Sequence, residues 1–234
     1  MTGTVLEARD VHMVLGHGAG QVNALRGVNL TLRGGELTLL MGPSGSGKTT
    51  LLSVLGCMLT PTEGKVEVCG HSTTGAGAED LARLRRNHIG FVFHSYHLFP
   101  TLEAIDNVRL ALDVRAEYGA PARVRSADAL GRVGLSHKLH SYPRELSGGE
   151  QQRVAIARAI VGNPSAILAD EPTAALDSKN GHAIMTLLAE IAKDPHRGVL
   201  VVTHDPRLVP FANRIVYIED GSIVREESPS RSLQ

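Results

Sequence analysis

The residues Gly42-Pro43-Ser44-Gly45-Ser46-Gly47-Lys48-Thr49 fit G-x-x-x-x-G-K-[ST], the pattern of a phosphate-binding loop. Glycine permits backbone dihedrals that a Cβ forbids, so successive N–H groups can turn inward as a nest for an anion. In such a loop Gly42 through Thr50 wrap the phosphates, Lys48 reaches the β- and γ-phosphates, and the Thr49 hydroxyl holds Mg2+. The setting fits. The apolar run Leu37-Thr38-Leu39-Leu40-Met41 precedes the loop as a buried strand, and Thr50 to Leu55 follow it as a helix. The helix N-terminus brings partial positive charge to the phosphates. A chance Gly/Ser turn before a helix is the alternative, and it seldom fills all three required positions in this context.

Asp170 and Glu171 follow the apolar run Ile167-Leu168-Ala169. A carboxylate at the end of a buried strand can face a phosphate loop. Asp170 then binds Mg2+, directly or through water, and Glu171 polarises an attacking water as general base. Adjacent acids also occur as plain turn residues; the loop beside them favours the chemical reading. His204 ends another apolar run, Val201-Val202-Thr203, where it can touch a γ-phosphate, although a lone strand-end histidine is more often structural. Leu146-Ser147-Gly148-Gly149-Glu150 precedes a helical run from Gln151 to Ile160. Ser147 can cap that helix, and the glycine pair lets a ligand approach its backbone. Simple capping is the alternative. Two phosphate-binding helix ends can serve one nucleotide only if they meet.

The elements that must position these residues are legible as well. Residues 5–14 and 24–32 alternate loosely and are predicted strands, joined by a turn at Gly16-His17-Gly18-Ala19-Gly20. A short strand is predicted over 65–69, a Gly/Ser/Thr surface loop over 71–78, a basic helix over 79–86 and a buried strand over 89–93. From Leu98 to Ala159 helical patterns dominate, broken at Gly119-Ala120-Pro121 and Ser141-Tyr142-Pro143. Strand signals return at 166–169, 198–203 and 214–218, with helical spacing of Ile184, Leu187, Leu188 and Ile191 between the first two. Glu219-Asp220-Gly221-Ser222 reads as a hairpin turn, and the residues from Glu226 as a flexible polar tail.

The chain has 234 residues, enough for one large α/β domain with a sizeable core. Lys+Arg and Asp+Glu are both 24, so no global basic field points to nucleic acid or an anionic membrane surface. The histidines are scattered without metal-ligand spacing, and Cys57 and Cys69 read as reduced thiols of a cytosolic protein. The first residues lack the basic and apolar regions of a signal peptide. No window reaches eighteen apolar residues, so no membrane span is expected and a membrane role would come through a partner.

Taken together, the residues resemble the nucleotide-binding subunit of an ATP-binding cassette (ABC) transporter, in the order phosphate loop, strand ending at Phe93, Leu-Ser-Gly-Gly-Glu, Asp-Glu-Pro, Ala-Leu-Asp and His. The likeness spans roughly residues 5–225. It implies an α/β P-loop core of mainly parallel strands, with an N-terminal antiparallel β portion and an inserted α-helical subdomain. The expected division is 1–93 and 161–225 for the core, 94–160 for the helical part and 226–234 for the tail. It implies ATP and Mg2+ as cofactors, with Glu171, His204 and Lys48 catalytic and His204 as the switch histidine. It implies head-to-tail pairing with a second ATP-binding subunit, most simply an identical one. Ser147, Gly148 and Gly149 of one copy then close on ATP held by the other, and Asp177 lies across the interface. An integral membrane permease would dock a coupling helix near residues 94–107, on the cytoplasmic face of the inner membrane. Phe91-Val92-Phe93, Leu98-Phe99-Pro100-Thr101-Leu102 and Asn107-Val108 resemble the macrolide-exporter and lipoprotein-release class, and Glu171 to Ser178 its DevA-like branch.

The chain departs from that family at two places. The family has Gln after the strand Phe91-Val92-Phe93, where it contacts Mg2+ and senses the γ-phosphate; this chain has His94. Imidazole binds metal only when neutral and favours softer ions than a carboxamide does, so slow or pH-sensitive hydrolysis is expected. The family also carries an adenine-stacking aromatic in the first strand, whereas His12-Met13-Val14-Leu15 has none, which leaves ATP against GTP open. The leading reading is the ATPase subunit of a membrane exporter. The others are a nucleotide-gated scaffold with little turnover and a non-transport ABC ATPase of DNA repair or ribosomes. The last lacks its usual coiled-coil insertion, zinc module or second cassette here.

Overall fold

The computed structural model describes residues 3–229. In chain order the elements are β1 (Thr4–Leu15), β2 (Val22–Arg33), β3 (Leu37–Met41), α1 (Lys48–Leu55), β4 (Glu63–Val68), β5 (His71–Ser72), α2 (Ala78–His88) and β6 (Ile89–Phe93). Then follow α3 (Ala104–Asp113), α4 (Gly119–Arg132), α5 (Gly148–Ile160), β7 (Ala166–Asp170), α6 (Ser178–Ala192), β8 (Gly198–Thr203), β9 (Arg214–Glu219) and β10 (Ser222–Glu227). They form an antiparallel sheet in the order β2-β1-β4-β5 and a larger sheet in the order β10-β9-β3-β8-β7-β6. From β9 to β6 the larger sheet is parallel, and β10 is antiparallel to β9. This is the α/β P-loop architecture expected.

The parallel strands read as unbroken apolar runs because both of their faces are covered. Leu37, Leu39, Ile167, Ala169, Val199 and Val201 pack toward α3, α5 and α6. Leu40, Leu168, Leu200, Val202 and Val216 pack toward α1 and the antiparallel sheet. Thus α1 is sandwiched between the two sheets through Leu51, Leu52, Val54 and Leu55, all at most 1% exposed. The helices α3 to α5 lie in sequence between β6 and β7 and share a core with α6.

The structure corrects three local expectations. The surface loop over 71–78 opens with β5, because Cys69 and Gly70 both take positive φ (49° and 79°) and turn the chain back onto β4, pairing Val68 with His71. That is the backbone a tight hairpin needs. Gly119-Ala120-Pro121 begins a helix instead of breaking one; Pro121 lies in the first turn of α4, where its missing N–H costs nothing. Glu226 and Glu227, assigned to a tail, belong to β10. Arg214 donates to Glu226 (3.2 Å) and the Tyr217 hydroxyl to Glu227 (2.7 Å), which ties the strand down. Residues 230–234 of the expected tail lie outside the described residues.

Candidate functional site

The phosphate loop leaves the C-terminal end of β3 at the centre of the parallel sheet. Gly45 and Gly47 adopt φ of 79° and 100°, the left-handed region that favours glycine. Gly42 serves a different need: a Cβ there would stand 2.1 Å from the Ile218 carbonyl oxygen. Lys48, the first residue of α1, curls back over the loop and donates from Nζ to the carbonyl oxygens of Gly42 (2.8 Å) and Pro43 (2.7 Å). Burial holds its ammonium below the usual lysine range, opposed by Glu171 and Asp170.

Asp170 ends β7 and Thr203 ends β8, both beside β3 or its neighbour, so the parallel register delivers them to the loop. The Thr49 hydroxyl stands 3.4 and 3.5 Å from the two Asp170 carboxylate oxygens, a loose contact. Burial, and next the Glu171 charge, push the Asp170 carboxyl above the ordinary carboxylate range; Thr49, His94 and Lys48 offset only part of this. Glu171 sits at φ 47°, uncommon for a non-glycine residue, with its N–H donating to the Val202 carbonyl (3.0 Å). Its carboxylate accepts from the Thr203 hydroxyl (3.3 Å) and lies 2.7 Å from His204 Nδ1. Lys48, Thr49, Thr50, Asp170, Glu171 and His204 line one cavity of about 960 Å3 with Pro43, Ser44, Gly45 and Gly47. Ser46 is buried beneath the loop, and its carbonyl accepts from the Gly221 N–H (3.0 Å).

Other residues of this cavity carried no motif. Leu15 and Val22, paired across β1 and β2, stand 37% and 61% exposed at its edge, with Arg26, Asp220 and Gly221 also lining it. In place of the family's aromatic in the first strand, the pairing register supplies two aliphatic side chains. His94 follows Phe93, which pairs with Asp170 in the sheet. It is exposed, and it is not part of the cavity lining.

A second group gathers elsewhere on the chain. The Ser147 hydroxyl accepts from the Glu150 N–H (3.3 Å), while the Glu150 carboxylate accepts from the Ser147 N–H (2.8 Å), a reciprocal cap on α5. That N–H holds the Glu150 carboxyl below its usual range. Asp177 caps α6, accepting from the Asn180 N–H (2.8 Å) and side-chain amide (2.7 Å). These groups interlock: a Cβ on Gly149 would stand 2.8 Å from Asn180 Oδ1, and one on Gly148 would stand 2.9 Å from the Tyr96 hydroxyl. Ser147, Gly148, Gly149 and Asp177 do not line the phosphate-loop cavity. One chain thus carries two separate halves: a cradle with its acids and histidine, and a glycine-rich helix start beside a capped aspartate.

Comparison with known proteins gives a consistent result. The family model described as ABC transporter matches residues 25–174. An uncharacterized ABC transporter ATP-binding protein, MJ0796 of Methanocaldococcus jannaschii, is 43% identical over 227 residues, covering 95% of this chain and 97% of its own length. The macrolide export ATP-binding/permease protein MacB of Rhodopseudomonas palustris is 40% identical over 230 residues, 98% of this chain but 35% of that protein. The chain thus spans about a third of the MacB relatives it matches. A dimeric structure of MJ0796, described as a post-hydrolysis state bound to ADP and Pi, superposes with a TM-score of 0.85 at 42% identity, covering 95% of this chain and 98% of that one. With the family model over most of the motifs, a relative matched nearly end to end, and the same fold, this chain belongs to the ABC transporter family.

Proposed function

We propose that this chain is the ATP-binding and hydrolysing subunit that powers an ABC-type membrane exporter. The observation that carries the reading is the convergence of Lys48, Thr49, Asp170, Glu171 and His204 on the one cavity that the phosphate loop opens into. Gly42 to Thr50 hold the phosphates through backbone N–H groups, and Lys48 exchanges its loop carbonyls for phosphate oxygens. Glu171 polarises the attacking water. His204, 2.7 Å from it, orients that carboxylate and reaches the γ-phosphate. Thr49 and Asp170 would hold Mg2+, since a hydroxyl and a carboxylate suit a hard cation and the Asp170 charge is poorly compensated without one. His94 is the third candidate ligand, from outside the cavity. Bound there, Mg2+ would neutralise charge on the phosphate oxygens.

Ser147, Gly148, Gly149 and Asp177 stand apart from this cradle, so they act on a nucleotide held by a second subunit, most simply an identical copy. The dimeric state of MJ0796 supports that pairing. MacB is named as an ATP-binding/permease protein, which supports a permease as the membrane partner; the chain would attach to it peripherally, at the cytoplasmic face of the inner membrane. Among the described residues no helix is long and apolar enough to cross a membrane. A cavity of about 610 Å3 between α2, β6, α3 and α5, bordered by Phe91, Phe93 and Phe99, suits a docked helix of the permease. The aliphatic pair Leu15 and Val22 offers a base no contact that distinguishes adenine from guanine, so this pair by itself selects neither ATP nor GTP. The second reading, a nucleotide-gated scaffold, is favoured by the position of His94 outside the cavity.

Steady-state ATP hydrolysis separates the two. Glu171→Gln should lower turnover by about 10²–10⁴ while leaving ATP binding intact. Turnover that is negligible in the unmodified chain with its permease present would favour the scaffold instead.

A further inference from the structure

The turn after β6 is held in an unusual way. Tyr96 and His97 both take positive φ, 59° and 48°, although neither is glycine or asparagine. Two adjacent left-handed residues persist only where the surroundings over-determine them. Arg158 of α5 supplies the restraint, donating from Nη1 to the His97 carbonyl (2.5 Å) and from Nη2 to the Tyr96 carbonyl (2.7 Å). Burial holds its guanidinium below the usual arginine range. Among the described residues, both of its hydrogen bonds go to the backbone of this one turn.

The turn connects three things. It begins at His94, directly after the sheet partner of Asp170. It carries the Tyr96 hydroxyl to Gly148, close enough that a Cβ on that glycine would collide with it at 2.9 Å. And His97, with Arg158 and Phe99, borders the cavity between α2, β6, α3 and α5. Arg158 lies in the last turn of the same helix that Ser147 caps, so the helix grips by its far end the turn whose tyrosine lies against its own start.

We infer that Arg158 and Tyr96 form a positioning clamp, which locks the 94–97 turn and the Ser147-Gly148-Gly149 segment into one body. The clamp serves closure of one copy on the nucleotide of the other and leaves nucleotide binding within a single chain untouched. The inference rests on the two-copy reading proposed above. The planar guanidinium fork is what lets one side chain bridge consecutive carbonyls, and a lysine ammonium cannot reproduce it.

The test uses the full chain. In a Glu171→Gln background, ATP-dependent dimerisation is followed by light scattering as ATP is raised, and single-chain affinity by a fluorescent trinitrophenyl-ATP at dilute protein. Arg158→Ala and Tyr96→Leu should each require at least tenfold more ATP to dimerise, with analogue affinity changed by less than twofold; Arg158→Lys should recover only part of the loss. With Glu171 intact, kcat should fall in the same order. Should Arg158→Ala fail to fold, Tyr96→Leu and Arg158→Lys carry the same comparison. Dimerisation at the parental ATP concentration in the variants overturns the clamp alone, as does an analogue affinity that falls in step with kcat. A parent that never dimerises with ATP overturns the two-copy reading and the clamp together.

Discussion

Asp170 invites a substitution that should raise stability and abolish function. Its carboxyl lies above the ordinary range chiefly because it is buried, and secondarily because Glu171 is adjacent. Among the described residues its carboxylate's only hydrogen bonds, from the Thr49 hydroxyl at 3.4 and 3.5 Å, are too long to repay that cost. Asp170→Asn keeps the shape and removes the charge. Relief of an unfavourable group at a functional site is worth about 0.5–2 kcal/mol. Partial exposure and the nearby Lys48 place this case at about 1 kcal/mol, and in a chain of this size that raises Tm by about 2–4 °C. The pH dependence has a definite sign. A carboxyl whose folded-state pKa is raised binds its proton more tightly when folded, so it costs stability above that pKa and nothing below the unfolded value. The advantage of Asp170→Asn should be complete at pH 8 and shrink toward zero as pH falls below about 4. Differential scanning fluorimetry of both proteins, without nucleotide, reads this directly. Addition of Mg2+ and ATP should stabilise the unmodified chain and leave the variant nearly unchanged. A variant no more stable than its parent at pH 8 would refute the claim that the Asp170 charge is uncompensated.

Other outcomes follow from the same geometry. Ser147→Ala removes the reciprocal cap of α5 and should cost about 1 kcal/mol, read as a Tm lower by about 2–4 °C, with single-chain nucleotide affinity unchanged. His94→Gln should raise ATP turnover; identical rates in the two proteins would remove any catalytic role for the imidazole. The Cys57 thiol is pushed up to about 11 by burial, a little offset by Arg85. In a Cys69→Ser variant at pH 8, thiol-reagent labelling of the native chain should therefore be at least about a hundredfold slower than in denaturant.

The cradle was legible because its chemistry demands fixed residues at fixed spacing and because buried parallel strands announce themselves as apolar runs. Asp170, Glu171 and His204 could be assigned to strand ends for that reason, and the parallel register then brought them to the loop. What stayed hidden depends on pairing or on backbone shape. Leu15 and Val22 meet only through the β1–β2 register. The hairpin at Cys69-Gly70 lacks the Asn-Gly or Asp-Gly signal, and the left-handed pair Tyr96-His97 carries no glycine to betray it. Arg158 looks like any helix arginine until its two carbonyl partners, some sixty residues earlier, are seen.

The hydrogen bond from Gly221 to the Ser46 carbonyl has a consequence for how the protein is made. The strand that carries the phosphate loop, β3, lies between β8 and β9, and the loop is pinned by a glycine 175 positions downstream. At about 5–20 residues per second of synthesis, the ribosome needs roughly 10–35 s to pass from one to the other. Until residue 198 is made the nascent β3 has neither flanking strand, and until residue 221 the loop has no pin. The cradle is therefore assembled last although its sequence emerges early, and a pause in translation before residue 198 would lengthen the exposure of an apolar strand with both edges unpaired.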